Sequence, residues 1–141
     1  MGFESFRKIA DTRLTGGALL SERDLMAAVK NRIPLDAVLL LRENGLSEAE
    51  IDVLVIPGRT MRHRAQKSEA LTVDESDKLV RVLRVLANTF ETFGERKKAL
   101  RWLRKPLREL DGATPFSTTE TEAGARMIEN ILAQIAWGAA A

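Results

Sequence analysis

Residues 47–67 read SEAEIDVLVIPGRTMRHRAQK, and they decide the fold of the N-terminal half of the chain. Ser47 and Glu50 form a capping box, which predicts a short helix that ends near Leu54. The four residues VIPG then supply a turn, and a basic helix is expected over residues 59–67. A capped helix, a short turn and a second helix with basic and polar residues outward together make the helix-turn-helix pattern.

Capping signals predict two helices before this motif. Ser21, with Asp24 three residues later, opens a helix that runs through Lys30. Pro34 stops that helix and starts the next one, which is expected to end at Asn44-Gly45. Residues 21–67 are therefore predicted to consist of helices joined by short turns.

The C-terminal half is also patterned as helices. Residues 72–93 carry apolar side chains at helical spacing, which predicts a central core helix ended by Gly94. A basic helix over residues 95–105 follows, and residues 122–137 are predicted to form a last helix with one apolar stripe. Gly138 is expected to free a short alanine tail. No segment alternates apolar and polar residues like a strand, so the predicted fold class is all-α.

The composition excludes several classes of protein. The 141 residues include no cysteine and one histidine, so disulfides, thiolate nucleophiles and His-rich or cysteine-ligated metal sites are not expected. No apolar run approaches the roughly 20 residues that span a bilayer, and no signal-peptide pattern is present, so we expect a cytoplasmic protein without a membrane partner. Asp74, Glu75 and Asp77 cluster, but acids in the first turn of a helix complement its dipole. With no phosphate loop and no candidate triad, neither enzyme activity nor a cofactor is expected.

The net charge is only +2, but the basic residues are concentrated in two places. One is the second helix of the helix-turn-helix pattern. The other spans residues 96–108, which contain seven cations and no acid. A run of charge is often a solvated helix face, so each of these segments needs a structural context before it indicates a partner.

The first basic segment has such a context, because a recognition helix places its N-terminal residues on base edges in the major groove. Arginine suits guanine, where a bidentate pair discriminates by roughly 1 to 3 kcal/mol, whereas Arg64 and Lys67 are expected to meet phosphate. The alternative is a solvated helix. The residues predicted to contact DNA are Arg59, Thr60, Arg62, His63, Arg64 and Lys67.

Two residues depart from the usual helix-turn-helix pattern. Val55 stands where the turn commonly has glycine, and Ile51 stands where alanine usually lets the two helices approach. These departures point to an unusual interhelical angle and to weak DNA binding by a single module.

From Thr72 onward the sequence resembles the toxin-binding domain of the Xre/MbcA/ParS antitoxin family. The motif IPGRTMRHR of residues 56–64 also resembles the recognition-helix segment of that family. The motifs that carry the resemblance are LTVDESDKL (71–79), FG (93–94), KALRWLRKP (98–106), LDGATPF (110–116), TEAGAR (121–126) and IAWG (135–138).

The resemblance implies an N-terminal Cro-like helix-turn-helix region over residues 21–70 and a small helical toxin-binding domain over residues 71–141. Residues 1–20 fall outside it, and their weak periodicity predicts a loosely attached lead-in with little function. The implied function is that of an antitoxin without catalysis, whose C-terminal region blocks the NAD pocket of a RES-domain toxin and which represses its own operon through operator DNA. The toxin implied by the resemblance either degrades NAD or transfers an ADP-ribosyl group from it. The alternative is a solitary repressor that has no toxin partner.

Two segments are candidates for contact with the toxin. In the basic segment, Arg101 and Arg104 flank Trp102, and the alternatives are a solvated face over a buried Trp102, an acidic toxin surface or DNA flanks. At the C-terminus, an aromatic residue beyond the apolar stripe is typical of an interface anchor. The predicted toxin contacts are Arg101, Trp102, Arg104, Ile135, Trp137, Gly138, Ala139, Ala140 and Ala141.

A homodimer within a toxin–antitoxin hetero-oligomer is also expected. A single small helix-turn-helix buries little surface, whereas paired modules about 34 Å apart gain affinity and palindromic specificity.

Overall fold

The computed structural model describes residues 3–19 and 21–140, and the regular structure in this part of the chain is helical, which confirms the all-α prediction. The α-helices in chain order are α1 (Phe3–Ile9), α2 (Glu22–Lys30), α3 (Leu39–Glu43), α4 (Glu48–Leu54), α5 (Gly58–Gln66), α6 (Val73–Phe93), α7 (Arg96–Leu103), α8 (Pro115–Thr118) and α9 (Glu122–Ala140). Two 3₁₀ turns, Leu35–Val38 and Arg108–Leu110, precede α3 and α8. None of the described helices is long and apolar enough to cross a bilayer.

The longest of these helices, α6, is the axis of the fold. It begins at the predicted Thr72–Glu75 capping box and ends at Gly94, whose φ of 72° is the left-handed conformation that glycine adopts without strain. Most of its apolar positions are buried, and α1, α2, α4, α7 and α9 all pack against it. A single hydrophobic core therefore runs through both halves of the chain.

The N-terminal segment is attached to this core, so the prediction of a loosely held lead-in is wrong. Phe6 of α1 is fully buried and Leu14 is 1% exposed. The Arg84 guanidinium lies 5.7 Å from the centroid of the Phe6 ring. Sequence periodicity is weak here because only a short helix and the irregular loop after it supply the buried side chains.

Two other predicted boundaries need correction. The helix expected from Pro34 begins as a 3₁₀ turn, and the α-helical part starts only at Leu39. The prediction that Gly138 frees an alanine tail is also wrong, because α9 continues to Ala140. Glycine costs only about 1 kcal/mol relative to alanine in a helix, and the alanines around it favour the helix most. The expectation for Ala141 lies outside the described residues.

The helix-turn-helix region is tied to the start of α6 by the chain between α2 and the first 3₁₀ turn. Arg32 donates from Nε to the Leu71 carbonyl at 2.8 Å. The Leu71 amide in turn donates to the Ile33 carbonyl at 3.0 Å, and the Ile33 amide donates to the buried Ser76 hydroxyl at 2.9 Å. These bonds hold the chain before the first 3₁₀ turn and the chain after α5 together at the start of α6.

Candidate functional site

The predicted helix-turn-helix motif is formed by α4, the turn at residues 55–57 and α5. The Ser47–Glu50 capping box opens α4 as expected. Ile51 and Val55 are both buried where the two helices meet the core. Val55 has a φ of −130°, so this turn does not use the left-handed conformation for which glycine is usually needed.

The first turn of α5 is unusual in its charge. Asp52 of α4 accepts a hydrogen bond from the Gly58 amide at 2.8 Å, which satisfies one of the free N–H groups at this helix end. Whereas α2, α4 and α6 each begin with acidic residues, α5 has none in its first turn and carries Arg59 there instead. A cation at a helix N-terminus opposes the dipole, so helix stability does not explain Arg59.

The outer face of α5 brings four polar side chains together. At 3.6 residues per turn, Arg59, Arg62, His63 and Gln66 lie within an arc of about 100°. All four are exposed, and no residue of α5 is buried. Lys67 is exposed at the C-terminal end of the helix, while Thr60 is half-buried. Gln66 was not among the predicted contacts, although its position three and four residues after His63 and Arg62 places it on their face.

Arg64 lies on the opposite side of α5 and pairs with Glu75 in the first turn of α6. The Arg64 side chain is 16% exposed and that of Glu75 is 13% exposed. Burial raises the pKa of Glu75, but hydrogen bonds from Arg64 and the Thr72 amide outweigh it and hold the pKa below its ordinary value. The same hydrogen bond raises the pKa of Arg64. The structure therefore gives Arg64 a partner within the fold instead of a free guanidinium.

The three predicted toxin contacts on and just after α7 also differ in whether they have partners within the fold. Arg104 donates to both Glu50 oxygens at 2.8 and 2.9 Å and to the Gly45 carbonyl at 2.7 Å, so it joins α7 to the helix-turn-helix motif. The Trp102 ring is half-buried, with its centroid 5.5 Å from that of Phe93. Arg101 is exposed. Arg101 and Arg104 are therefore both exposed, but Arg104 is held by a carboxylate, and no such partner of Arg101 is found within the described chain.

The end of α9 presents an aromatic side chain. Trp137 is 77% exposed. Nine residues earlier, Ile128 is fully buried, which at 100° per residue places it about 180° around the helix from Trp137. The same side of α9 as Trp137 carries three other exposed residues, Arg126, Asn130 and Ala133.

The other predicted contacts on α9 lie within three residues of Trp137 in the sequence. Ile135 is half-buried and Gly138 is exposed, while of Ala139 and Ala140 the structure describes the helical backbone. Within the described chain, no hydrogen bond, ion pair or ring contact joins α7 to α9. Nor do three or more His, Asp or Glu side chains of these residues come together where they would hold a metal ion.

Comparison with known proteins assigns both halves of this architecture. Residues 24–84 match the antitoxin Xre-like helix-turn-helix domain, and residues 88–138 match the antitoxin Xre/MbcA/ParS C-terminal toxin-binding domain. A Pseudomonas putida protein named Antitoxin Xre is 34% identical over 138 residues, which cover 97% of this chain and 86% of that protein. The chain belongs to the Xre antitoxin family.

Two further relatives with the name Antitoxin Xre match shorter stretches. The protein from Photorhabdus laumondii is 34% identical over 91 residues, or 62% of each chain. The protein from Yersinia enterocolitica is 30% identical over 84 residues, or 59% of this chain and 57% of that protein. As a member of the Xre family, the chain is an antitoxin of a toxin–antitoxin system, with a helix-turn-helix domain followed by a toxin-binding domain.

Proposed function

We propose that this Xre antitoxin neutralises a NAD-consuming RES-domain toxin by inserting the end of α9 into the toxin's NAD pocket. The observation that carries the proposal is the exposure of Trp137 on a helix whose opposite face is buried. An aromatic side chain that makes so little intramolecular contact is an efficient anchor for a partner. The small residues after it suit a narrow cleft, because glycine and alanine add little width.

The second part of the proposal is autoregulation through DNA. The face of Arg59, Arg62, His63 and Gln66 has the chemistry for base edges in the major groove, where arginine recognises guanine and glutamine recognises adenine. Lys67 is assigned to phosphate. The role proposed for Arg64 is positional, since its guanidinium holds α5 against α6.

A pairing of two such modules follows from the same chemistry. One α5 contacts a single half-site, and two copies about 34 Å apart read a palindrome with much greater affinity. A homodimer within the toxin–antitoxin complex is therefore part of the proposal.

Co-expression with the protein encoded beside this chain tests the first part. We expect that protein to deplete cellular NAD and stop growth when expressed alone, and to form a stable, inactive complex when this chain is present. Trp137→Ala, and a chain that ends after Trp137, should each weaken the complex at least tenfold. Met127→Ala is the matched control, because Met127 is also an exposed apolar side chain of α9 but lies about 80° from Trp137 around the helix.

The outcomes separate the parts of the proposal. If both α9 variants bind and neutralise like the wild type, occlusion by the helix end is refuted, although the antitoxin assignment stands. If the neighbouring protein neither binds nor lowers NAD, the RES-toxin assignment fails. Replacement of Arg59 and Arg62 by alanine should abolish preference for operator DNA and leave neutralisation intact.

A further inference from the structure

The solvent face of α7 is entirely cationic. Lys97 and Arg101 lie four residues apart on this helix, a rise of about 6 Å, and Lys105 follows two residues after the helix ends at Leu103. All three are exposed, and with Arg104 and Leu100 they line a shallow cleft of about 520 Å³ that has no acidic residue in its wall. Lys98 extends the same exposed face.

These cations are not explained by the stability of α7. Its first turn consists of Arg96, Lys97 and Lys98, so positive charge lies where the helix dipole disfavours it, and the N-cap acid Glu95 makes no side-chain capping hydrogen bond. Arg96 is engaged with its surroundings, since its guanidinium lies 4.9 Å from the Phe90 ring centroid and donates to the Glu43 carbonyl at 3.3 Å. Lys97 and Lys98 have no such contact within the described chain, and they point to an anionic partner.

The position of α7 links this face to the helix-turn-helix motif. Arg104 bonds to Glu50 and to the Gly45 carbonyl. At Gly45 the backbone approaches Leu100 so closely that a Cβ atom would lie 2.5 Å from a Leu100 methyl group. α7 is therefore packed on the turn that leads into α4, so its position is fixed relative to the motif.

The chemistry of the face favours DNA over a protein partner. Lysine is depleted at protein–protein interfaces, where aromatic residues, methionine and arginine are enriched. The exposed cations on and just after α7 include the three lysines Lys97, Lys98 and Lys105, while the aromatic residue of this helix, Trp102, is turned towards Phe93. Point charges in a row suit phosphates, which carry no sequence information but supply affinity.

We propose that Lys97, Arg101 and Lys105 bind the phosphate backbone of DNA that flanks the site read by α5. The proposal rests on the DNA binding proposed above and extends its footprint to the toxin-binding domain. Three phosphate contacts should contribute about 2.7 to the slope of log K against log salt. Their loss should weaken binding by roughly a hundredfold near 0.15 M salt.

The test compares three proteins on two DNA duplexes of equal length. One duplex is taken from the DNA preceding the chain's own reading frame and the other has a random sequence. The α7 variant combines Lys97→Gln, Arg101→Gln and Lys105→Gln. The control combines Lys8→Gln, Arg23→Gln and Lys30→Gln, which removes three exposed cations from α1 and α2 and changes the net charge equally. Circular dichroism checks that helicity is unchanged.

We expect the α7 variant to lose affinity for both duplexes by a similar factor, with a lower salt slope, and the control to bind nearly as the wild type does. If the α7 variant binds DNA like the control but forms a weaker complex with the toxin, the face is a toxin contact and the proposal is overturned. Equal loss in both variants would also overturn it, because net charge alone would then explain the effect.

The α5 variant with Arg59→Ala and Arg62→Ala separates this proposal from the recognition-helix proposal. It should lose preference for the upstream duplex and keep the salt-dependent binding supplied by α7. Retention of that preference contradicts the role of α5 and leaves the role of α7 standing. A wild-type protein that binds neither duplex refutes both.

Discussion

Replacement of Arg64 by methionine should lower the free energy of unfolding by about 2 to 3 kcal/mol. Removing one partner of a fully buried ion pair costs roughly 3 to 5 kcal/mol, because the remaining charge is left without compensation. The cost here is smaller, since Glu75 is still 13% exposed and keeps the hydrogen bond from the Thr72 amide at 2.9 Å. Methionine preserves the apolar stem of the side chain, so the change isolates the guanidinium.

Urea unfolding measures this effect. With a slope near 2 kcal/mol per molar urea, the midpoint should fall by about 1 to 1.5 M at unchanged slope. Arg126→Met is the matched control, because Arg126 is 76% exposed and lies 3.9 Å from Glu122, a surface pair worth about 0.5 kcal/mol at most. Equal midpoints for the two variants would refute the idea that the Arg64–Glu75 pair holds α5.

The same pair predicts a pH dependence. The pKa of Glu75 is lowered in the folded protein from its ordinary value of 4.5, so the stabilisation is complete above that value. It is lost as the pH falls through the lowered pKa, because the carboxyl is then protonated in both states. The stability difference between wild type and Arg64→Met should therefore be largest near neutral pH and narrow below about pH 4.5.

Salt dependence of DNA binding distinguishes positioning from phosphate contact. Lys67→Gln should lower the slope of log K against log salt by about 0.9, as expected for one lost phosphate contact. Arg64→Met should leave the slope unchanged, whatever its effect on affinity. A decrease near 0.9 for Arg64→Met would show that its guanidinium leaves Glu75 for the DNA.

Four further substitutions, one of them a control, test the packing. Phe6→Ala should lower the unfolding free energy by about 3 to 5 kcal/mol in chemical denaturation, because the fully buried ring leaves a cavity in the core. Gly124→Ala should cost about 3 kcal/mol or more by thermal unfolding, since its Cβ would lie 1.7 Å from the Thr118 carbonyl oxygen, whereas Gly17→Ala, with no atom within 4 Å, should stay within about 0.5 kcal/mol. Trp137→Ala should leave the melting temperature nearly unchanged, because the side chain is mostly exposed.

Local signals in the sequence were sufficient for most helix starts. The capping boxes at Ser21, Ser47 and Thr72 are all present, because each joins residues only three apart and depends on no distant packing. The attachment of α1 was not predictable in this way. Phe6 is buried against α6, and its contact with Arg84 joins residues far apart in the chain.

The candidate site was predictable only as a set of residue types. The sequence places the cations of α5 on one short helix, and it indicates that an aromatic residue follows the apolar stripe of α9. It does not show which cations already have a carboxylate partner. Arg64 and Glu75 are 11 residues apart, and Arg104 and Glu50 are 54 apart, so their pairing depends on how α4, α5, α6 and α7 pack.

Among the predicted contact residues, the two arginines that are held within the fold share one type of partner. Glu50 is the N3 residue of the α4 capping box, and Glu75 is the N3 residue of the α6 capping box. In each case an oxygen of the carboxylate accepts a hydrogen bond from the N-cap amide, at 2.8 Å in α4 and 2.9 Å in α6, which orders the side chain independently of the arginine. A carboxylate that is already ordered loses less conformational entropy on forming an ion pair. Arg64 and Arg104 are thereby held within the fold, and within the described chain Arg59, Arg62 and Arg101 are the arginines of the predicted contact sets that have no carboxylate partner.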